Sequence, residues 1–131
     1  MKAKTNLTML CDFYELTMAN GYFQTGLQDR ICYFDVFYRS VPDKGGFAIA
    51  AGLAQVVEYI QELCFDQEDV DYLRTKGCFS EEFLAFLRGF KFTGDIWAVP
   101  EGTPVFPNEP ILTVRAPAIQ AQFVETFLLL T

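Results

Sequence analysis

Five of the chain's six prolines fall within 100–117, at Pro100, Pro104, Pro107, Pro110 and Pro117, and this cluster limits what the last third can become. Proline has no amide donor and clashes with the preceding helical turn, so no helix runs through this region. Strands remain possible if they are short. The apolar stretches between the prolines predict strands over 96–99, 103–106 and 111–114, with turns at Glu101-Gly102 and Asn108-Glu109. Such a density of proline suits strand ends, edges and turns better than a central buried ladder.

Upstream, 31–39 alternates as a strand does. Cys32, Phe34, Val36 and Tyr38 share one face; Ile31, Tyr33 and Phe37 share the other with Asp35 and Arg39. Both faces are largely apolar, which predicts a central strand covered on both sides. Asp35 and Arg39 are spaced to form an ion pair, with a structural role the simpler reading.

Helix signals occupy most of the remaining chain. Asp12 reads as an N-cap and Glu15, three residues on, as the other half of a capping box, with Cys11 and Leu16 placed for a hydrophobic staple. That helix runs to about Phe23 and stops near Gly26. In 51–64, Leu53, Val56, Val57, Ile60, Leu63 and Cys64 follow the helical period. Asp66 and Asp69 form a second capping signature, and this helix ends at Gly77. Ser80 caps a third helix whose first turn holds Glu81 and Glu82 and whose stripe is Phe83, Phe86, Leu87 and Phe90. Ala118 opens a last helix with Ile119, Phe123, Phe127 and Leu130 on one face, and only Glu125 and Thr126 interrupt its apolar run. The last residues bring no glycine cap or polar tail, so the reading expects a longer protein to continue from here.

The chain thus carries both helices and proline-punctuated strands. We divide it into an arm over 1–10, a domain over 11–117, and the start of a helix over 118–131 that leads onward.

Composition supports a folded core and removes several functions. Hydrophobic residues make up 51% of the 131, including 14 Phe, which argues against disorder. Ten basic residues against 17 acidic ones give a net charge of -7, unfavourable to a nucleic-acid partner. No stretch approaches the roughly 18 apolar residues that span a bilayer. The chain has no His, so it cannot assemble a Ser-His-Asp or Cys-His set by itself. Cys11, Cys32, Cys64 and Cys78 are widely spaced and read as buried free thiols in a reducing compartment rather than a zinc site.

Few residues remain that could touch a ligand. Lys44-Gly45-Gly46 lacks the spacing of a phosphate loop and reads as a flexible turn, although nearby Arg39 leaves a ligand approach open. Tyr14, in the first helical turn, has little claim on the core. An exposed tyrosine there suits stacking on a flat ring or an interface.

Several ordered blocks now act together: Thr8-Met9-Leu10-Cys11-Asp12-Phe13-Tyr14-Glu15-Leu16-Thr17-Met18, Gly21-Tyr22, Phe34-Asp35-Val36-Phe37-Tyr38-Arg39, Pro42 and Gly45-Gly46-Phe47-Ala48-Ile49. They continue with Ala51-Gly52-Leu53, Phe92-Thr93-Gly94-Asp95, the stretch from Val99 to Pro107, and the closing Gln122 to Leu130 with its Glu125-Thr126 pair. In this order and spacing they resemble the start of nicotinate phosphoribosyltransferases. Phe13 stands where many relatives carry Leu; Ser40 and Asp43 stand where they often carry a basic residue and Phe.

The resemblance implies an N-terminal α+β domain, like that of quinolinate phosphoribosyltransferase, with the following α/β barrel missing. It implies an enzyme that joins nicotinate to phosphoribosyl pyrophosphate, releasing nicotinate mononucleotide and pyrophosphate in NAD salvage. ATP hydrolysis would be coupled through a phosphorylated His, and ATP and Mg²⁺ would be bound mainly by the missing barrel. By the same resemblance Tyr14 stacks on the pyridine ring and Asp12 lies beside it, while Arg39, Gly45 and Gly46 are candidates for substrate proximity. A cytoplasmic homodimer is implied, in which the N-terminal segment reaches the partner's site, and the fragment alone would be inactive. Two alternatives stand beside it: a freestanding interaction module, and a relative specific for nicotinamide.

Overall fold

The sheet is built around the strand that proline brackets. In the computed structural model, which describes residues 6–41 and 45–131, β1 (Ile31–Val36), β5 (Leu112–Pro117) and β3 (Asp95–Ala98) form an antiparallel sheet in the order β1-β5-β3. Pro110 precedes β5 and Pro117 closes it opposite Ile31, so neither removes a donor from the middle of the ladder. The expectation that this region supplies only edges and turns is therefore corrected: β5 is the central strand. A second small sheet pairs β2 (Ala48–Ile49) with β4 (Pro104–Val105).

β1 is correspondingly an edge strand, not a central one. Its inner residues Cys32, Phe34 and Val36 lie opposite Ala116, Val114 and Leu112, over the core. Its outer face is open, with Tyr33 64% and Ile31 44% exposed. Polar bonds cross that face in place of a second layer. Arg115 donates from Nε to the Tyr33 hydroxyl (3.2 Å) and from Nη1 to Asp95 (3.0 Å), and Thr113 donates to Asp35 (2.6 Å). Asp35 thus bonds across the ladder, and among the described residues no ion pair joins it to Arg39.

Gly94 allows β3 to enter this sheet. A Cβ there would come within 2.5 Å of the Ala116 Cβ and 2.6 Å of the Arg115 carbonyl oxygen, so β3 could not approach β5 with any larger residue.

Among the described residues there are six helices, α1 (Phe13–Gln24), α2 (Leu53–Glu62), α3 (Gln67–Arg74), α4 (Glu81–Arg88), α5 (Ala118–Phe123) and α6 (Glu125–Leu130), and α5 packs against β1 and β5 and against α1. Among the described residues, none is long and apolar enough to cross a membrane. The core joins Leu16 and Ala19 of α1 to Val70, Leu73, Phe83, Leu84 and Leu87 of α3 and α4, and to Ile119 and Phe123 of α5. Phe123 meets Phe65 and Phe90 edge-on at 5.2 and 5.3 Å between ring centroids.

Two capping expectations hold. The Asp66 side chain accepts from the Asp69 amide while Asp69 accepts from the Asp66 amide, and the Ser80 hydroxyl accepts from Phe83. The third fails. Asp12 is the N-cap of α1, but its side chain makes no cap bond and Glu15 turns into the protein.

Other expectations need revision. In α2 the buried face includes Tyr59, which stacks on Phe127 at 3.9 Å, while Val57 is 42% exposed. The last helix breaks at Val124, giving α5 and α6, and Leu130 is exposed. The cysteines are free, but Cys64 and Cys78, in loops after α2 and α3, are exposed, and Cys11 and Cys32 are only partly buried. The described part of the arm is fastened. Asn6 donates to Asp69 (3.1 Å), and the buried Thr8 hydroxyl accepts from the Cys64 amide (3.0 Å). The expected turn at Pro42, Asp43 and Lys44 lies outside the described residues.

Candidate functional site

The break at Val124 carries the site. It lets the chain restart at α6, and there Glu125 and Thr126 face the first turn of α1. Each helix contributes two neighbouring residues to the contact. The Tyr14 hydroxyl donates to Glu125 Oε1 at 2.6 Å, and Thr126 donates to Glu15 Oε1 from its hydroxyl (2.5 Å) and its amide (3.1 Å). The Asp12 amide adds a bond to the Thr126 hydroxyl at 3.2 Å. The buried Gln122 in α5 donates to Glu125 Oε2 at 2.7 Å, so both oxygens of that carboxylate are engaged.

Glu15 is the unusual member. Its side chain is fully buried, its Oε2 has no hydrogen-bond partner, and burial pushes its pKa up to about 7. The bonds from Thr126 oppose that rise, and the charges of Glu125 and Asp12 add to it. Near neutral pH this carboxyl holds a proton for much of the time. The bond to Glu125 likewise raises the Tyr14 phenol above its ordinary value, so Tyr14 acts as a neutral donor. Cys11, beside the cluster, is pushed up to about 12, first by burial and then by Glu15 and Asp12, and is no nucleophile.

Tyr14 as a residue remains 44% exposed although its hydroxyl is bonded. On its other side, Glu125 lines an open concavity of about 490 Å³ between β1 and α6, with Tyr33, Asp35, Phe37, Leu128 and Leu129. A smaller concavity of about 290 Å³ lies by α2, lined by Thr8, Glu58 and Tyr59, and does not include the Tyr14 cluster.

The structure brings Tyr14 and Asp12 to this cluster and leaves Arg39, Gly45 and Gly46 outside it. All three of the latter are exposed, Arg39 beyond the end of β1 and the glycines before β2. A Cβ on Gly46 would meet nothing within 4 Å, so no tight cradle surrounds it. Sequence reasoning passed over Glu15, Gln122, Glu125 and Thr126 as site residues. The signal was present for two of them, because Glu125 and Thr126 are the polar pair that interrupts the most apolar run in the chain.

A metal or nucleotide finds little here. Among the described residues no group of three or more Cys, Asp or Glu is placed to hold a metal ion. Both oxygens of Glu125 and one oxygen of Glu15 are committed to protein donors. These residues do not fit Mg²⁺ or ATP, and no step through either is derived from them.

The architecture is thus an α+β domain whose polar cluster joins its first and last helices. The sequence profile described as the nicotinate phosphoribosyltransferase (NAPRTase) N-terminal domain matches residues 9–131. A nicotinate phosphoribosyltransferase of Mycobacterium tuberculosis is 48% identical over 121 residues, covering 92% of this chain and 26% of that protein. One from Bacillus subtilis is 38% identical over 124 residues, covering 95% and 25%. The crystal structure of human nicotinic acid phosphoribosyltransferase superposes with a TM-score of 0.84 at 34% identity, over 91% of this chain and 24% of that one. The chain belongs to the nicotinate phosphoribosyltransferase family, in the region of its N-terminal domain, and spans about a quarter of the length of these relatives.

Proposed function

We propose that this chain is the N-terminal part of a nicotinate phosphoribosyltransferase and that its Tyr14 contributes to the nicotinate site. In the reaction, the pyridine nitrogen bonds to C1 of the ribose as the bond from C1 to pyrophosphate breaks, the bonding pair leaving with pyrophosphate. The products are nicotinate mononucleotide and pyrophosphate. Positive charge grows on the sugar as that bond stretches, so a ring held in line with C1 lowers the barrier. ATP hydrolysis accompanies the reaction, and ATP and Mg²⁺ are held by the remainder of the enzyme.

One observation supports this reading above the others: Tyr14 is bonded at its hydroxyl while its ring stays exposed. A tyrosine held in that way offers a flat apolar face to a planar ring. Asp12, at the start of the same helix, stands beside it. Arg39, Gly45 and Gly46 are assigned a weaker part, near the substrates. The enzyme works as a cytoplasmic homodimer in which the N-terminal segment carrying Tyr14 reaches the nicotinate site of the partner. The stretch 118–131 leads into the barrel domain.

The test is Tyr14→Ala in the full-length enzyme. Nicotinate binding or turnover falls at least about tenfold while the dimer persists, the scale of a lost aromatic contact. Unchanged kinetics would reduce Tyr14 to a helix-start residue. Turnover of nicotinate against nicotinamide by the same enzyme checks the base, and a preference for nicotinamide defeats that part of the assignment.

A further inference from the structure

We infer that Glu125 is a positioning residue for the base: it holds the Tyr14 hydroxyl so that the ring is already oriented when nicotinate arrives. The inference rests on the reading of Tyr14 given above. Its grounds are geometric. Tyr14 lies in the first turn of α1, 44% exposed as a residue, and its hydroxyl is anchored by the 2.6 Å bond to Glu125 Oε1. Without that bond, the side chain would sample several rotamers and have to be ordered on binding.

Glu125 is itself fixed at three levels. Its second oxygen accepts from Gln122, which is 3% exposed and has little freedom to move. Its neighbour Thr126 is tied by two bonds to the buried Glu15. The chain break at Val124 then sets the direction in which Glu125 leaves the backbone. An exposed phenol is thus referenced to the buried interior through one carboxylate. A surface ion pair would not do this, because both partners would move together.

The carboxylate suits the task better than a neutral acceptor. A charge-assisted bond to the phenol is shorter and stronger than a neutral one.

The experiment uses the full-length enzyme and compares KM for nicotinate, KM for phosphoribosyl pyrophosphate and kcat. Tyr14→Phe keeps the ring and loses the hydroxyl. Glu125→Ala keeps the hydroxyl and loses its anchor. Each raises KM for nicotinate about two- to tenfold, the size of one side chain's ordering cost, and leaves KM for phosphoribosyl pyrophosphate unchanged. Glu125→Gln, which retains an acceptor, recovers most of the loss. The double variant is no worse than Tyr14→Phe alone, because Glu125 acts through that hydroxyl.

Wild-type KM for nicotinate in Tyr14→Phe overturns the inference, and this variant remains informative if Glu125→Ala fails to fold. Losses that multiply in the double variant overturn it too, since Glu125 would then act by another route. The failure of the wider reading looks different: Tyr14→Ala would itself have normal kinetics. Impaired Tyr14→Ala with normal Tyr14→Phe and Glu125→Ala removes only the positioning role.

Discussion

The starts of α1 and α3 carry the same local pattern, an aspartate followed three residues later by an acid, yet they fold differently. At α3, Asp66 and Asp69 exchange backbone bonds and close a capping box. At α1, Asp12 makes no cap bond and Glu15 is drawn inside to Thr126, 111 residues further on. The difference lies in what packs against each helix start. α3 begins at the surface, where the two acids serve each other's amides and Asn6 adds an exposed bond to Asp69. α1 begins against α5 and α6, where Thr126 offers two donors in a protected place. A capping box contributes local stability; the exchange at α1 joins the two ends of the domain and places an ionisable group in its interior.

The largest expected effect tests the aromatic region behind α3 and α4. Phe83 is fully buried and touches Phe23, Phe79 and Phe86. Phe83→Ala should cost about 3–5 kcal/mol by denaturant titration. A cost under 1 kcal/mol would mean that this region is not the domain's mainstay.

Next comes Glu15. Its folded-state pKa lies near 7, above the ordinary carboxyl value of 4.5. The protonated form is therefore favoured in the folded state. Stability is highest below the unfolded pKa and falls as pH rises toward and through 7, by up to about 3 kcal/mol. Denaturation measured from pH 5 to 8 should show this decline, and Glu15→Gln should flatten it. A wild-type profile that rises over that range would place Glu15 in an ordinary ionised state.

The smaller effects separate the two helix starts directly. Ser80→Ala and Asp66→Ala should each lose about 1 kcal/mol, the usual value of a side-chain cap. Asp12→Ala should lose less than about 0.5 kcal/mol, because no cap bond is there to remove. Equal losses at Asp12 and Asp66 would erase the distinction between the two starts.

Legibility in the sequence followed the range of the interactions. The α1 boundary near Gly26, the α3 and α4 caps and the Phe83 stripe were readable because their partners lie within a few residues. Tyr14 was readable as an aromatic with no place in its own helix's buried face. The failures share a cause. The edge position of β1, the central position of β5 and the burial of Tyr59 each depend on a partner distant in sequence. The strand pattern of β1 reports that both faces carry apolar side chains, but Arg115 and Thr113 satisfy its outer face without a second layer.

From residues alone, the chain determines its helix stops, its proline-bounded strands and an exposed aromatic at position 14. Those are set by backbone chemistry and short-range periodicity. Only the tertiary structure decides that Glu15 abandons its cap, that the last helix breaks to present Glu125 and Thr126, and that Tyr14 is held by the far end of the chain. A buried carboxyl needs donors, and the nearest protected donors come from a segment that only folding brings close.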